Sequence, residues 1–134
     1  MPPEGTGPGS PSQWLRHARS DLALARVPRP EDTLLEALCF HAQQAAEKAI
    51  KAALVHTGLD LPRSHSIRAL LDLLPAATGV PDLVAEAAEL TEYAVEARYP
   101  GTVEAVTEDE YARAVVLAEA VVLWAEGLVS PSRE

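Results

Sequence analysis

Leu35, Leu38, Ala42, Ala45, Ala46, Ala49 and Ala53 recur at steps of three and four, a spacing that puts them on one face of a helix. Most of that face is alanine. Side chains this small expose the stripe unless a neighbouring helix comes close enough to cover it. The pattern therefore predicts close approach of a neighbouring helix. Composition agrees, with 48% apolar residues, mostly Ala, Leu and Val, and 4% aromatics. A sandwich or barrel would want more Ile, Thr, Phe and Tyr.

The stripe belongs to a long second helix, expected from about Glu31 to His56, with Asp32 or Thr33 at its start and Gly58 past its end. Glu47 and Lys51 stand four apart on it, in the favourable order. A first helix is expected from about Gln13 to Arg26, with Ser12 as its cap and Trp14, Leu15, Ala18, Leu22 and Ala25 at helical spacing. Val27-Pro28-Arg29-Pro30 breaks it. Ser64 is placed to cap a short third helix, Ser66 to Leu74, closed by Pro75. A fourth helix opens at Pro81 and runs to about Ala97, with Leu83, Ala87, Leu90 and Ala94 inward. Thr107-Glu108-Asp109-Glu110 forms a capping box for a last helix ending near Leu128.

The expected fold is all-α: an up-and-down four-helix bundle with an additional short helix. Residues 1–12, with four prolines and three glycines, read as a disordered leader, 13–128 as one helical domain, and 129–134 as a tail. In the last helix, Tyr111, Ala114, Val115, Ala118, Val121, Val122 and Ala125 form one apolar face, while Val116, Leu117, Leu123 and Trp124 lie largely outside it. A helix apolar around so much of its circumference is covered on more than one side. In a domain of this size the expected second cover is another copy of the chain, a homodimer.

Eleven Lys and Arg against twenty Asp and Glu give a net charge of −9. The chain lacks the basic footprint of a protein that grips nucleic acid by bulk electrostatics, though a local basic patch remains open. The single cysteine, Cys39, excludes an intramolecular disulfide and reads as a buried small hydrophobe. No Cys/His cluster suggests a metal, and no cofactor is expected. No apolar run nears the roughly 20 residues of a bilayer span. Without a signal peptide at the start, a cytoplasmic protein is the expectation. Phosphate-loop, zinc-protease and serine-elbow motifs are absent.

Three places carry candidate chemistry. His41, Gln44, Lys48 and Lys51 share the face opposite the alanine stripe, where they form either a solvated surface or a set able to receive a phosphate or a base edge. His65 lies before the short helix with Arg63 and Arg68 near it, as a loop anchor or part of an anion site. Arg98-Tyr99-Pro100-Gly101 ends the fourth helix, and the proline restricts Tyr99 to extended backbone. Arg98 there pairs with a phosphate or with a carboxylate of its own bundle, and Tyr99 can stack on a base. The expected arrangement has Arg98 and Tyr99 facing His41, Gln44 and Lys48, with His65 nearby.

Cys39-Phe40-His41-Ala42-Gln43-Gln44-Ala45-Ala46-Glu47-Lys48 is followed by Ser64-His65-Ser66-Ile67, Leu90-Thr91-Glu92-Tyr93 and Ala97-Arg98-Tyr99-Pro100. With Trp14 and Asp21-Leu22 before them, these segments resemble the HEPN domain, the higher eukaryote and prokaryote nucleotide-binding domain, over about Ser12 to Glu126. The resemblance implies a helical bundle, usually dimeric, often paired with a small nucleotidyltransferase. Some members are ribonuclease toxins of toxin–antitoxin pairs, marked by an arginine followed after four to six residues by a histidine. Here Arg98 is followed by Tyr99, Pro100, Gly101, Thr102, Val103, Glu104 and Ala105, and no histidine of the chain stands at that spacing after any arginine. The expectation is therefore a non-catalytic nucleotide-binding or partner-binding module, with no catalytic residues. A toxin-type ribonuclease with an altered site is the alternative.

Overall fold

The computed structural model describes residues 9–27, 33–95 and 106–129. Within them are six α-helices: α1 (Pro11–Arg26), α2 (Leu35–His56), α3 (Ile67–Asp72), α4 (Asp82–Glu86), α5 (Glu92–Val95) and α6 (Glu108–Val129). Short 3-10 segments cover Ala76–Thr78 and Ala87–Thr91, and no strand occurs among the described residues. α4, its 3-10 continuation and α5 follow one another without a break and form one rod of the four-helix bundle. α3 is the additional short helix.

α2 is the hub. It packs most extensively against α1 and α6, and also against α3 and α5. Ala42, Ala45, Ala46, Ala49, Ala52 and Ala53 are all fully buried on it, together with Ile50 and Leu54. Burial thus extends beyond the predicted stripe, because α2 has neighbours on more than one side. α1 contributes Leu15, Ala18, Leu22 and Ala25 to the same core, and α6 contributes Ala114, Leu117, Ala118, Val121, Val122 and Ala125. Cys39 is buried among them, as expected.

Several helix ends differ from expectation. α1 begins at Pro11, not Gln13, and its cap is Ser10, whose hydroxyl accepts a hydrogen bond from the Gln13 amide at 3.2 Å. Pro11 suits the first position because it has no amide proton to leave unsatisfied. Pro11 and Ser12 are therefore helical, not leader. α3 begins at Ile67 with Ser66 as its cap, accepting from the Ala69 amide at 3.1 Å. Ser64 instead accepts from the Ser66 amide, a serine turn just before the helix. α2 starts at Leu35 without a side-chain cap, four residues later than predicted from Glu31. At its far end Gly58 takes φ 85°, the left-handed conformation expected of it. The capping box of α6 forms as predicted. Thr107 Oγ1 accepts from the Glu110 amide at 3.1 Å, and Glu110 Oε1 accepts from the Thr107 amide at 2.9 Å.

Two burial expectations are corrected. The fourth predicted helix winds through a 3-10 stretch, which advances the register. Leu83 is exposed and Val84 is buried instead. On α6, Leu117 lies wholly in the core, whereas Val116 and Leu123 face outward, 53% and 62% exposed. Tyr111 donates its hydroxyl to the Ala25 carbonyl at 2.5 Å, and Trp124 Nε1 donates to the Gly79 carbonyl at 3.1 Å. These two bonds tie α6 to the end of α1 and to the loop before α4.

The alanines on α2 leave no room for bulk. Ala49→Leu should destabilise the fold by about 1–3 kcal/mol, as overpacking does in a filled core. Urea unfolding followed by circular dichroism checks this through a lowered midpoint with an unchanged slope.

Candidate functional site

Two carboxylates that ordinary burial rules would keep in water are instead packed into the bundle. Asp21 on α1 is 8% exposed and Glu47 on α2 is 3% exposed. Charges this deep persist only when paired and hydrogen-bonded. Each carboxylate here has one lysine and one histidine. Asp21 Oδ2 accepts from Lys48 Nζ at 2.6 Å, and Asp21 Oδ1 meets His41 Nδ1 at 3.0 Å. Glu47 Oε2 accepts from Lys51 Nζ at 2.8 Å and meets His65 Nδ1 at 2.9 Å. Glu47 Oε1 accepts from Gln43 Nε2 at 2.7 Å, and Gln43 Oε1 accepts from Gln44 Nε2 at 2.8 Å.

Burial pushes the Glu47 carboxyl up. Hydrogen bonds from Lys51, Gln43 and His65, with the charge of Lys51, more than offset that and hold it below its ordinary value. Glu47 is therefore an anion at neutral pH. A carboxylate only accepts, so His65 must present Nδ1–H to it, leaving Nε2 free of that bond. Burial, followed by Cys39 and the acids Glu110, Glu92 and Glu89, pushes the Tyr93 hydroxyl up to about 12, so that it stays neutral.

The predicted polar face of α2 is thus real, but it is not a freely solvated one. His41 and Lys48 converge on Asp21, while Lys51, His65 and, through Gln43, Gln44 converge on Glu47. Each lysine commits one of its three N–H donors to a carboxylate. His65 remains 73% exposed at its side chain and His41 33%. Arg98 and Tyr99 lie outside the described residues. The groups missed as site members are Asp21, Gln43 and Glu47. Asp21 had a readable signal, since it falls between Ala18 and Ala25 at steps of three and four, an acid in an apolar register. Gln43 and Glu47 carry the same signal more faintly, as an i, i+4 polar pair set among alanines.

Beside the seam a hollow of about 270 Å³ is lined by Gly9, Gln13, Trp14, His17 and Lys48. Lys51 Nζ lies 5.4 Å from the centroid of the Trp14 ring, a cation–π contact that fixes the indole against α2. No cluster of three or more His, Cys, Asp or Glu side chains suited to a metal occurs among the described residues. No helix among them is long and apolar enough to cross a membrane.

The HEPN domain family model matches residues 11–128, and the chain belongs to that family. Its fold is similar to the crystal structure of TT1696 from Thermus thermophilus, at 32% identity and a TM-score of 0.74, over 88% of this chain and 97% of that one. It is also similar to the crystal structure of ST0689, an archaeal HEPN homologue, at 28% identity and a TM-score of 0.70, over 90% of this chain and 98% of that one. No curated protein matches the sequence.

Because its folded value lies below the ordinary 4.5, Glu47 adds stability above that pH and loses it as pH falls through the folded value. Stability should therefore drop on acidification, and Glu47→Gln should shrink that acid-side loss relative to wild type. At neutral pH Glu47→Ala should cost about 3 kcal/mol or more, since Lys51 and Gln43 lose a buried partner. Urea unfolding of the three proteins between pH 3 and 7 checks both.

Proposed function

We propose that this HEPN domain is a non-catalytic nucleotide-binding module, working as a homodimer beside a small nucleotidyltransferase. The observation that carries the reading is the convergence of His41, Gln44, Lys48 and His65 around two buried carboxylates. Asp21 and Glu47 hold these side chains in place before any ligand arrives, which lowers the ordering cost of binding. Both lysines keep N–H donors for a phosphate, and His41 and His65 keep a ring nitrogen. In this reading Arg98 and Tyr99 complete the binding set. The guanidinium takes a phosphate bidentately and the tyrosine stacks.

The homodimer is supported by apolar side chains left on the outer faces of α1 and α6. Leu24, Val27, Val116 and Leu123 are all exposed. Leu123 lies beside the ion pairs linking the two helices, Arg19 with Glu126 and Arg26 with Glu119. The surface is therefore apolar with both charge signs, which suits a two-fold contact with itself. The nucleotidyltransferase partner is supported by the family's common pairing.

One observation favours the alternative, a toxin-type ribonuclease with an altered site. Glu47 fixes His65 as an oriented imidazole, the kind of proton carrier such a reaction needs. Labelled RNA separates the two readings. The expected outcome is no cleavage. Cleavage that disappears in His65→Ala would establish the enzyme.

For the binding reading, calorimetric titration with nucleoside monophosphates should show binding in the micromolar to millimolar range. It should weaken about tenfold in Lys48→Ala or Arg98→Ala while the helical signal is kept. Absence of binding at millimolar nucleotide rejects the reading. Light scattering at micromolar concentration should give twice the chain mass, and a monomer rejects the dimer.

A further inference from the structure

Phe40 is the chain's single phenylalanine, and it is 38% exposed in the second turn of the best-packed helix, α2. Its ring meets His41 edge-on, with centroids 5.7 Å apart and planes at 69°. A large aromatic on the outer side of a helix whose other face is buried contributes little to the core. Its position on the helix is informative. Phe40, Gln44 and Lys48 stand at i, i+4 and i+8, one continuous ridge along α2. The ridge presents an aromatic ring, then an amide, then an ammonium, over a rise of about 12 Å.

The amide in the middle cannot turn over freely. Glu47 is ionised and only accepts, so buried Gln43 must give it the NH2 group, at 2.7 Å. That leaves Gln43 Oε1 as an acceptor, and Gln44 must fill it with its own NH2, at 2.8 Å. The orientation of Gln44 is therefore set by a carboxylate two links away. Gln44 retains its second N–H and its Oε1, neither engaged by another described residue. A donor beside an acceptor in one plane is the pattern with which glutamine reads adenine at N6 and N7. Guanine offers two acceptors on that edge, and pyrimidines have no N7.

We propose that the Phe40–Gln44–Lys48 ridge holds an adenine nucleotide. The base stacks on Phe40, N6–H donates to Gln44 Oε1, N7 accepts from Gln44 Nε2, and the phosphate lies at Lys48. The ridge ends in the right surroundings, since Lys48 also lines the hollow with Gln13, Trp14 and His17. Lys48 spends one donor on Asp21 and has two left for phosphate oxygens. This assignment rests on the nucleotide-binding reading above and adds which base is chosen and which residues choose it.

The test is calorimetric titration of the full chain with AMP, GMP, UMP and ribose 5-phosphate, repeated on Phe40→Ala, Phe40→Trp and Gln44→Met. AMP should bind wild type at least fivefold more tightly than GMP or UMP, and ribose 5-phosphate should bind most weakly. Phe40→Ala should weaken AMP binding about tenfold to a hundredfold and Phe40→Trp should keep it, as expected for a stacking platform. Gln44→Met should bring AMP and GMP to similar affinities. Circular dichroism confirms that each variant is folded. If AMP, GMP and UMP bind wild type equally, or Phe40→Ala binds AMP unchanged, the base assignment is overturned while nucleotide binding stands. If none of the four ligands binds, both fail together. If Phe40→Ala lowers the molecular mass and leaves AMP affinity intact, Phe40 belongs to a contact between copies and the proposal is overturned.

Discussion

The ionised carboxylate of Glu47 is the constraint on which the polar half of this protein depends. It sits on the central helix, almost wholly removed from water, and three donors from two different parts of the chain meet it. Lys51 and Gln43 come from its own helix, four residues to either side. His65 comes from the connection between α2 and α3. The bond to His65 therefore fixes the start of α3 relative to α2, and α3 in turn buries Ile67, Leu70 and Leu71. Asp21 does the corresponding work between α1 and α2, with His41 and Lys48. Buried ion pairs are weak sources of net stability, because desolvation cancels much of the attraction. Their value here is geometric, as together they make one arrangement of α1, α2 and α3 much cheaper than its alternatives.

Alanine makes this possible. With Ala42, Ala45, Ala46, Ala49, Ala52 and Ala53 buried on α2, the neighbouring helices come close. A side chain as short as Asp21 on α1 then reaches partners on α2. Lys48 meets Asp21 at 2.6 Å while keeping about a quarter of its side chain exposed. A bulkier face on α2 would push α1 outward and open these contacts. The apolar packing and the polar seam are thus not separate layers, since the first sets the distances the second needs.

Most of the fold is legible in the sequence because its signals are local. Helical spacing locates α1, α2 and α6, and Thr107 with Glu110 locates the start of α6. The errors cluster where two neighbouring residues offer the same local chemistry. Ser10 and Ser12 could each cap α1, and Ser64 and Ser66 could each cap α3; the position of Pro11 and the serine turn decide between them. Leu83 departs from its expected burial because a 3-10 stretch changes the angular step, which a fixed period of 3.6 residues does not foresee. At the site, the donors His41, Gln44, Lys48 and His65 are found by type and spacing. The acceptors Asp21 and Glu47 are harder, because an acid on a helix is usually solvated and its burial is decided by a second helix. Arg98 and Tyr99 lie outside the described residues, so their part belongs to the functional proposal.

A seam built in this way reconciles an acidic chain with an anionic ligand. The net charge of −9 sets the far field, which repels polyanions approaching from a distance. At contact range the balance is different, because the two buried acids are each already paired with a lysine. In the proposed reading a phosphate would meet Lys48 with two unspent donors and His65 with an exposed ring, while Asp21 and Glu47 stay buried. The net charge opposes a polynucleotide more than a mononucleotide, which is why the proposed ligand is a small one.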